Sequence, residues 1–180
     1  MVLIVRQNGD KEVTPTPLVT IRLYGDPVLR RKSREVKEIS RDIQKLIDNM
    51  AKLMYKNKGL GLAAPQVGIL KRVIVVDVGD GLVSLVNPKI LWRQGKDTMS
   101  ERCLSISGIN LEIKRSKEVI VEGLTKEGEK VQLGAVGLFA RVLQHEIDHL
   151  DGILIVDRVP KKIIKPIKKE LDKIKATAQK

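Results

Sequence analysis

Two kinds of apolar pattern alternate along the chain. Ile43, Leu46, Ile47, Met50, Leu53 and Met54 follow the 3.6-residue repeat behind Ser40, a residue type that caps helices, so residues 41 to 56 read as an amphipathic helix ended by Gly59. From Arg72 the unbroken run Val73-Ile74-Val75-Val76 leads into Gly79-Asp80-Gly81 and then Leu82 to Val86, which predicts a strand, a tight Asp-Gly turn and a second strand. Glu118 to Leu124 and Lys130 to Leu133 form another such pair around Lys126-Glu127-Gly128. The helical period returns between Val136 and Leu150, with Gly152 where a terminating glycine belongs. Ile153 to Val156 is strand-like. Beyond Pro160, Ile163, Ile164, Ile167, Leu171 and Ile174 recur at helical spacing among lysines, a basic amphipathic helix with Pro166 inside it. Residues 1 to 20, with Asn8-Gly9 and Thr14-Pro15-Thr16-Pro17, read as a hairpin or tethered arm without a catalytic role.

Composition narrows this picture. A chain of 180 residues, 42% of them apolar, can bury a core as one domain, and neither a repeat nor a long linker divides it. The domain is taken as 1–180, with an extension at 1–20 and the basic helix at 160–180. A lone cysteine, Cys103, cannot form an internal disulfide, so nothing points to an oxidising compartment or a stapled secreted scaffold. No apolar stretch approaches the roughly 20 residues of a membrane span, so a soluble, cytoplasmic protein without a signal peptide is expected.

The formal charge of +12 favours an anionic neighbour, nucleic acid or a ribonucleoprotein surface. Residues 161 to 180 hold eight lysines against Glu170 and Asp172, which is +6 and half of the total. With one Trp, two Tyr and one Phe, base-stacking platforms are not available, and base-specific nucleic-acid recognition is not expected.

Candidate chemistry concentrates in His145-Glu146-Ile147-Asp148-His149. Histidines at i and i+4 stack on one helix face and can reach one metal ion, with the glutamate beside it for proton transfer. These are the only two histidines in the chain. A catalytic metal takes three protein ligands and keeps a position for water, and no histidine follows His149. Cys103 is the leading third ligand, ahead of Asp151, Asp157 and Glu170. A lone cysteine is otherwise most often an inert buried residue. Leu138 and Val142 lie within about 40° of the line through both histidines on the helical wheel, so the ligands should look onto an apolar patch.

Three segments in register then resemble peptide deformylases: Gly59-Leu60-Gly61-Leu62-Ala63-Ala64-Pro65-Gln66, Glu101-Arg102-Cys103-Leu104-Ser105, and Gln144 to Gly152 around the two histidines. Gly25-Asp26-Pro27-Val28-Leu29-Arg30 fits the same pattern, and the resemblance spans residues 21 to about 175. The family's second motif has glycine where this chain has Arg102, and a proline common shortly after it is absent, with Ser107 in that neighbourhood. The fold implied is α+β, antiparallel β-sheets around a central metal-binding helix, with one helix in the N-terminal half and one at the C-terminus.

The activity implied is removal of the formyl group from the N-terminal methionine of nascent polypeptides. It uses one divalent metal, with Fe²⁺ as working ion. A thiolate with two imidazoles also suits Zn²⁺, and Ni²⁺ or Co²⁺ could occupy it. Glu146 would shuttle the proton, while the Gln66 side chain and the Leu104 backbone N–H would hold the oxyanion. Gly61 would pair with the extended peptide, and the methionine side chain would enter a pocket near Leu60, Leu138 and Val142. Glu101 and Arg115 are expected to form an ion pair bracing the cysteine loop. The basic helix would dock on the ribosome surface; its alternative role is a lid packed on the domain. Two rival readings are an RNA-associated module with a structural metal, and a small metalloprotease cleaving internal bonds.

Overall fold

The computed structural model describes residues 20–178. The expected arm at 1 to 20 lies, but for Thr20, outside them. Three helices, α1 (Arg41–Lys56), α2 (Gly137–Leu150) and α3 (Lys161–Ala178), accompany seven strands. β1 (Gly61–Ala63), β2 (Val73–Val76), β3 (Val83–Gln94), β6 (Glu118–Leu124) and β7 (Lys130–Val136) form an antiparallel sheet in the order β1-β2-β3-β6-β7, and β4 (Asp97–Cys103) pairs with β5 (Ile106–Arg115) in a separate two-stranded sheet. This is the expected α+β class.

The continuous run of β2 has a direct cause. Its side chains alternate between faces, and both faces are covered: Val73 and Val75 pack with Ile47, Met50 and Met54 of α1, whereas Ile74 and Val76 pack with Leu143, Ile147 and Leu150 of α2. The sheet is thus clamped between two helices, and β1 at its edge is carried with it. A third cluster joins Ile106, Leu111 and Ile113 of β5 to Leu154, Ile155 and Leu171, with Ile164, Ile167 and Ile174 of α3 packed against it. The apolar stripe of α3 is therefore a packing face. Among the described residues no helix is long and apolar enough to cross a membrane.

Four local expectations are corrected. Ser40 occupies the cap position of α1, but its side chain makes no capping bond; its carbonyl accepts from Gln44 N–H at 3.1 Å. Gly59 does not end α1. Asn57 caps it and Lys58 takes the left-handed conformation (φ 54°), donating to Tyr55 O while Gly59 donates to Met54 O, a Schellman motif with lysine where glycine is commoner. The Asp-Gly turn is instead a loop over 77–82, because Val76 already pairs with Val83; Asp77 organises it by accepting from Gly79 and Gly81 N–H at 2.8 and 3.3 Å. Ile153 to Val156 is not a strand but runs into a 3-10 turn, Ile155–Asp157, in which the Asp157 carboxylate accepts from Leu154 N–H at 2.8 Å. Its apolar residues are buried without a partner strand.

Candidate active site

α2 is buried over eleven consecutive residues, Ala140 to Leu150, and six of them (Arg141, Gln144, His145, Glu146, Asp148 and His149) carry polar or ionisable groups. A buried polar group left unpaired costs on the order of 1–3 kcal/mol, so each needs a partner or a task. Gln144 accepts from Ser116 N–H and donates to Ser116 O, tying α2 to the start of β6. Arg141 donates to Glu101 at 2.7 Å and to Ile113 O at 2.8 Å. Asp148 accepts from Arg115 at 2.8 Å and from Arg158.

Glu101, on β4, is the centre of this network. Arg115 donates to both of its oxygens at 2.6 and 2.9 Å, so the expected ion pair is present, bidentate and buried. Its Oε2 also accepts from His145 Nδ1 at 3.0 Å. That contact fixes the ring orientation and leaves His145 Nε2 facing His149 Nε2, 3.2 Å away, while His149 Nε2 is 3.2 Å from Cys103 Sγ. The donor atoms of Cys103, His145 and His149 all lie within 4.8 Å of one another.

A thiolate and two imidazoles converging at this spacing fit a tetrahedral divalent ion, whose ligand atoms stand about 3.5 Å apart at bond lengths of about 2.0–2.3 Å. The other proposed third ligands are elsewhere, Asp157 paired with Arg30 and Asp151 with Arg72; Glu170 is not part of the cluster.

The electrostatics suit that assignment. Burial disfavours the charge of Glu101, but hydrogen bonds from His145 and Arg115 outweigh it and hold the carboxyl at about 2. Burial and the neighbouring charges of His145 and Arg115 push His149 well below its ordinary value, which keeps it a neutral ligand. Burial likewise disfavours charge on His145, yet its contacts with Cys103 and Glu101 raise it; a cation held by these donors would take the place of that proton. Burial pushes Glu146 up to about 7, the range in which a carboxyl both takes and gives a proton. One of its oxygens, Oε2, is buried without a hydrogen-bond partner among the described residues.

A cavity of about 770 Å³ opens above these groups, and Leu60, Gly61, Gln66, Cys103, Leu104, Leu138, Val142, His145 and Glu146 all line it. Of the site residues expected from the sequence only His149 does not; it lies beneath, 1% exposed. Gln66 is held by its side-chain oxygen Oε1, which accepts from Ala63 N–H at 2.8 Å, so that Nε2 reaches Ser105 Oγ at 3.3 Å and lies 3.7 Å from Cys103 Sγ. Gly61 has a reason specific to this site: a Cβ there would collide with the Glu146 carboxylate, 2.8 Å from its Cδ. Gly59 has a parallel one, since its Cβ would stand 2.8 Å from Leu104 Cδ1.

Sequence reasoning did not find the roles of Arg141, Asp148 and Ser105. Arg141 stands four residues before His145 on one helix face, a signal that it shares the ligand's surroundings.

A family model described as Polypeptide deformylase matches residues 18–165. The chain is 51% identical over 145 residues to the peptide deformylase of Halothermothrix orenii, covering 79% of this chain and 94% of that protein. Among solved structures, the peptide deformylase from Thermus thermophilus superposes with a TM-score of 0.84 at 41% identity, covering 88% of this chain and 98% of that one. The Thermotoga maritima peptide deformylase gives 0.78 at 44%, covering 79% and 98%.

Proposed function

We infer the working of the site from one premise: the chain belongs to the polypeptide deformylase family, metal-dependent hydrolases that remove the formyl group from the N-terminal methionine of new proteins. We propose that Cys103, His145 and His149 hold the catalytic ion. When bound, that ion supplies Lewis-acid chemistry, lowering the pKa of a water and polarising the formyl oxygen.

Glu146 takes the proton of the attacking water and returns it to the departing amine, so that the C–N bond breaks as formate and a free amino terminus form. Its burial, its titration near neutrality and its partnerless oxygen support this role. The Gln66 side-chain amide and the Leu104 backbone N–H steady the oxyanion, each such donor contributing on the order of 3 kcal/mol.

The substrate enters as an added strand. Among the described residues β1 is the outermost strand of its sheet and pairs on one side only, with β2. A peptide laid along its free edge beside Gly61 gains main-chain hydrogen bonds without any reading of its side chains. The side chain of the formylated methionine then reaches the apolar wall of Leu60, Leu138 and Val142.

Fe²⁺ is our working ion, with Zn²⁺, Ni²⁺ or Co²⁺ accommodated by the same donors. We further propose that the chain acts in the cytoplasm as one domain over 1–180 and meets the ribosome through the cationic face of α3. Half the net charge lies on that segment, and a second cavity nearby is rimmed by Arg93, Lys96, Lys114 and Arg158, the last just before α3.

The observation that carries the reading is the convergence of Cys103, His145 and His149 beneath Glu146 at the floor of an open groove. Anaerobically purified protein should carry about one Fe²⁺ per chain and hydrolyse formyl-Met-Ala-Ala to formate. Metal-replete protein that releases no formate would overturn it.

A further inference from the structure

The rim of the groove carries charges that the deformylation steps do not use. Of the charged residues lining it, Glu101 and Arg141 are buried and bonded to each other, and His145 and Glu146 belong to the site. Two remain, Lys58 and Arg102. Both are exposed, both are cationic, and among the described residues neither has a carboxylate partner.

Their backbones are fixed. Lys58 is held at φ 54°, a conformation a lysine adopts at some cost, by the hydrogen bonds that close α1. Arg102 sits between buried Glu101 and buried Cys103, where the pairing of β4 with β5 breaks register. One cation thus stands at the entrance to β1 and the other directly beside the metal-ligating cysteine.

We propose that Lys58 and Arg102 make the groove selective for formyl-Met peptides bearing an acidic side chain at the second or third residue, an inference that rests on the deformylase reading above. An extended peptide advances about 3.3 Å per residue, so those side chains stay within about 7 Å of the methionine and near this rim. Among the described residues the rim holds no exposed acid to offset the two cations, and a lysine at the same peptide position meets like charge. Rim charges act on encounter more than on the chemical step. The selectivity therefore resides in KM and falls with salt.

The test compares kcat/KM of the full-length, metal-loaded enzyme at low salt on formyl-Met-Ala-Ala, formyl-Met-Glu-Ala and formyl-Met-Ala-Glu with the corresponding lysine peptides. At least one glutamate peptide should exceed its lysine counterpart by about 5-fold, through KM, with the ratio approaching one in high salt. The doubly substituted Lys58→Ala/Arg102→Ala enzyme should bring the ratio close to one at low salt, and the Lys58→Glu/Arg102→Glu enzyme should invert it. Lys168→Ala, on α3, should leave the ratio unchanged, which separates a local effect from the general field of a basic protein. Because the readout is a ratio, a partly inactive preparation does not distort it. Equal rates for glutamate and lysine peptides, or a ratio the double variant retains, would overturn the selectivity while turnover of formyl-Met-Ala-Ala left the deformylase reading standing. No turnover of any formyl peptide would overturn both.

Discussion

α2 and α3 are neighbours in the chain, yet they use polar side chains in opposite ways. α2 buries Ala140 through Leu150 without interruption, and Arg141, Gln144, His145 and Asp148 each find a partner on another element. α3 is longer, holds Leu171 as its one buried residue, and turns its lysines to solvent. The difference lies in the surrounding dielectric. In the interior a charge must be matched by a specific atom, and the matching fixes geometry to a few tenths of an ångström; on the surface charges are screened and act as a sum. Catalysis needs the first arrangement and surface docking the second.

The contrast is sharpest at the cluster itself. Cys103→Ser and His149→Ala should each abolish stoichiometric metal, whereas Glu146→Gln should retain it and lose turnover by about 10²–10⁴-fold. Elemental analysis beside formate release checks both. Loss of metal from a folded Glu146→Gln protein would move that residue among the ligands.

Next in size is the network behind the ligands. Arg115→Leu leaves Glu101 and Asp148 partly unmatched in the interior and should destabilise by about 3–5 kcal/mol in urea unfolding. Acid should undo the same interaction. The Glu101 carboxyl lies at about 2 in the folded chain against an ordinary 4.5, so the folded state favours the anion. Its contribution, about 3 kcal/mol, is complete above pH 4.5 and is withdrawn as pH falls from there toward 2. The stability gap between the natural protein and Glu101→Gln should narrow over that window. A gap constant from about pH 6 to about pH 3 would show that the anion is not the source.

On α3 two substitutions should separate its faces. Leu171→Ala, 3% exposed in the third core cluster, should lower stability by about 2–4 kcal/mol. Lys168→Glu combined with Lys169→Glu should change stability by no more than about 0.5 kcal/mol and still weaken sedimentation with ribosomes at low salt. Because the apolar face packs on the domain, deleting the helix would confound the two effects, and charge reversal is the cleaner probe. Undiminished ribosome binding by the reversed protein would remove α3 as the docking surface.

Much of this was legible beforehand where local pattern is strong. Helices α1 and α2 announce themselves by period, and the cluster of Cys103, His145 and His149 by chemistry: two histidines one turn apart, and a single thiol. The β4–β5 hairpin over residues 97–115 did not, because its buried Ile106, Ile109, Leu111 and Ile113 are broken by Gly108 at positive φ and by a register shift near Cys103. Nor did the partners of Arg141 and Asp148, which lie 40 and 33 residues away at Glu101 and Arg115. A charge in an apolar helix says that it needs a partner, not which one. Ile153 to Val156 has strand-like composition, but Leu154, Ile155 and Val156 are buried among side chains of the third cluster and the segment runs into a 3-10 turn instead.

Gly61 against Glu146 has a further consequence, best expressed as one of measurement. β1 is three residues long, its register on β2 runs from Gly61 opposite Val76 to Ala63 opposite Ile74, and its first residue leaves no room for a Cβ beside the Glu146 carboxylate. Under the proposed mechanism, a peptide hydrogen-bonded along β1 would be positioned by a ruler whose zero mark is Glu146 itself. A slip of β1 by one residue would bring Leu62 to the carboxylate and turn its side chain to the opposite face. The calibration survives any change in the peptide's own side chains, because it is made by backbone. The bare backbone at residue 61, with no Cβ, is what would let that scale and the Glu146 carboxylate share an origin.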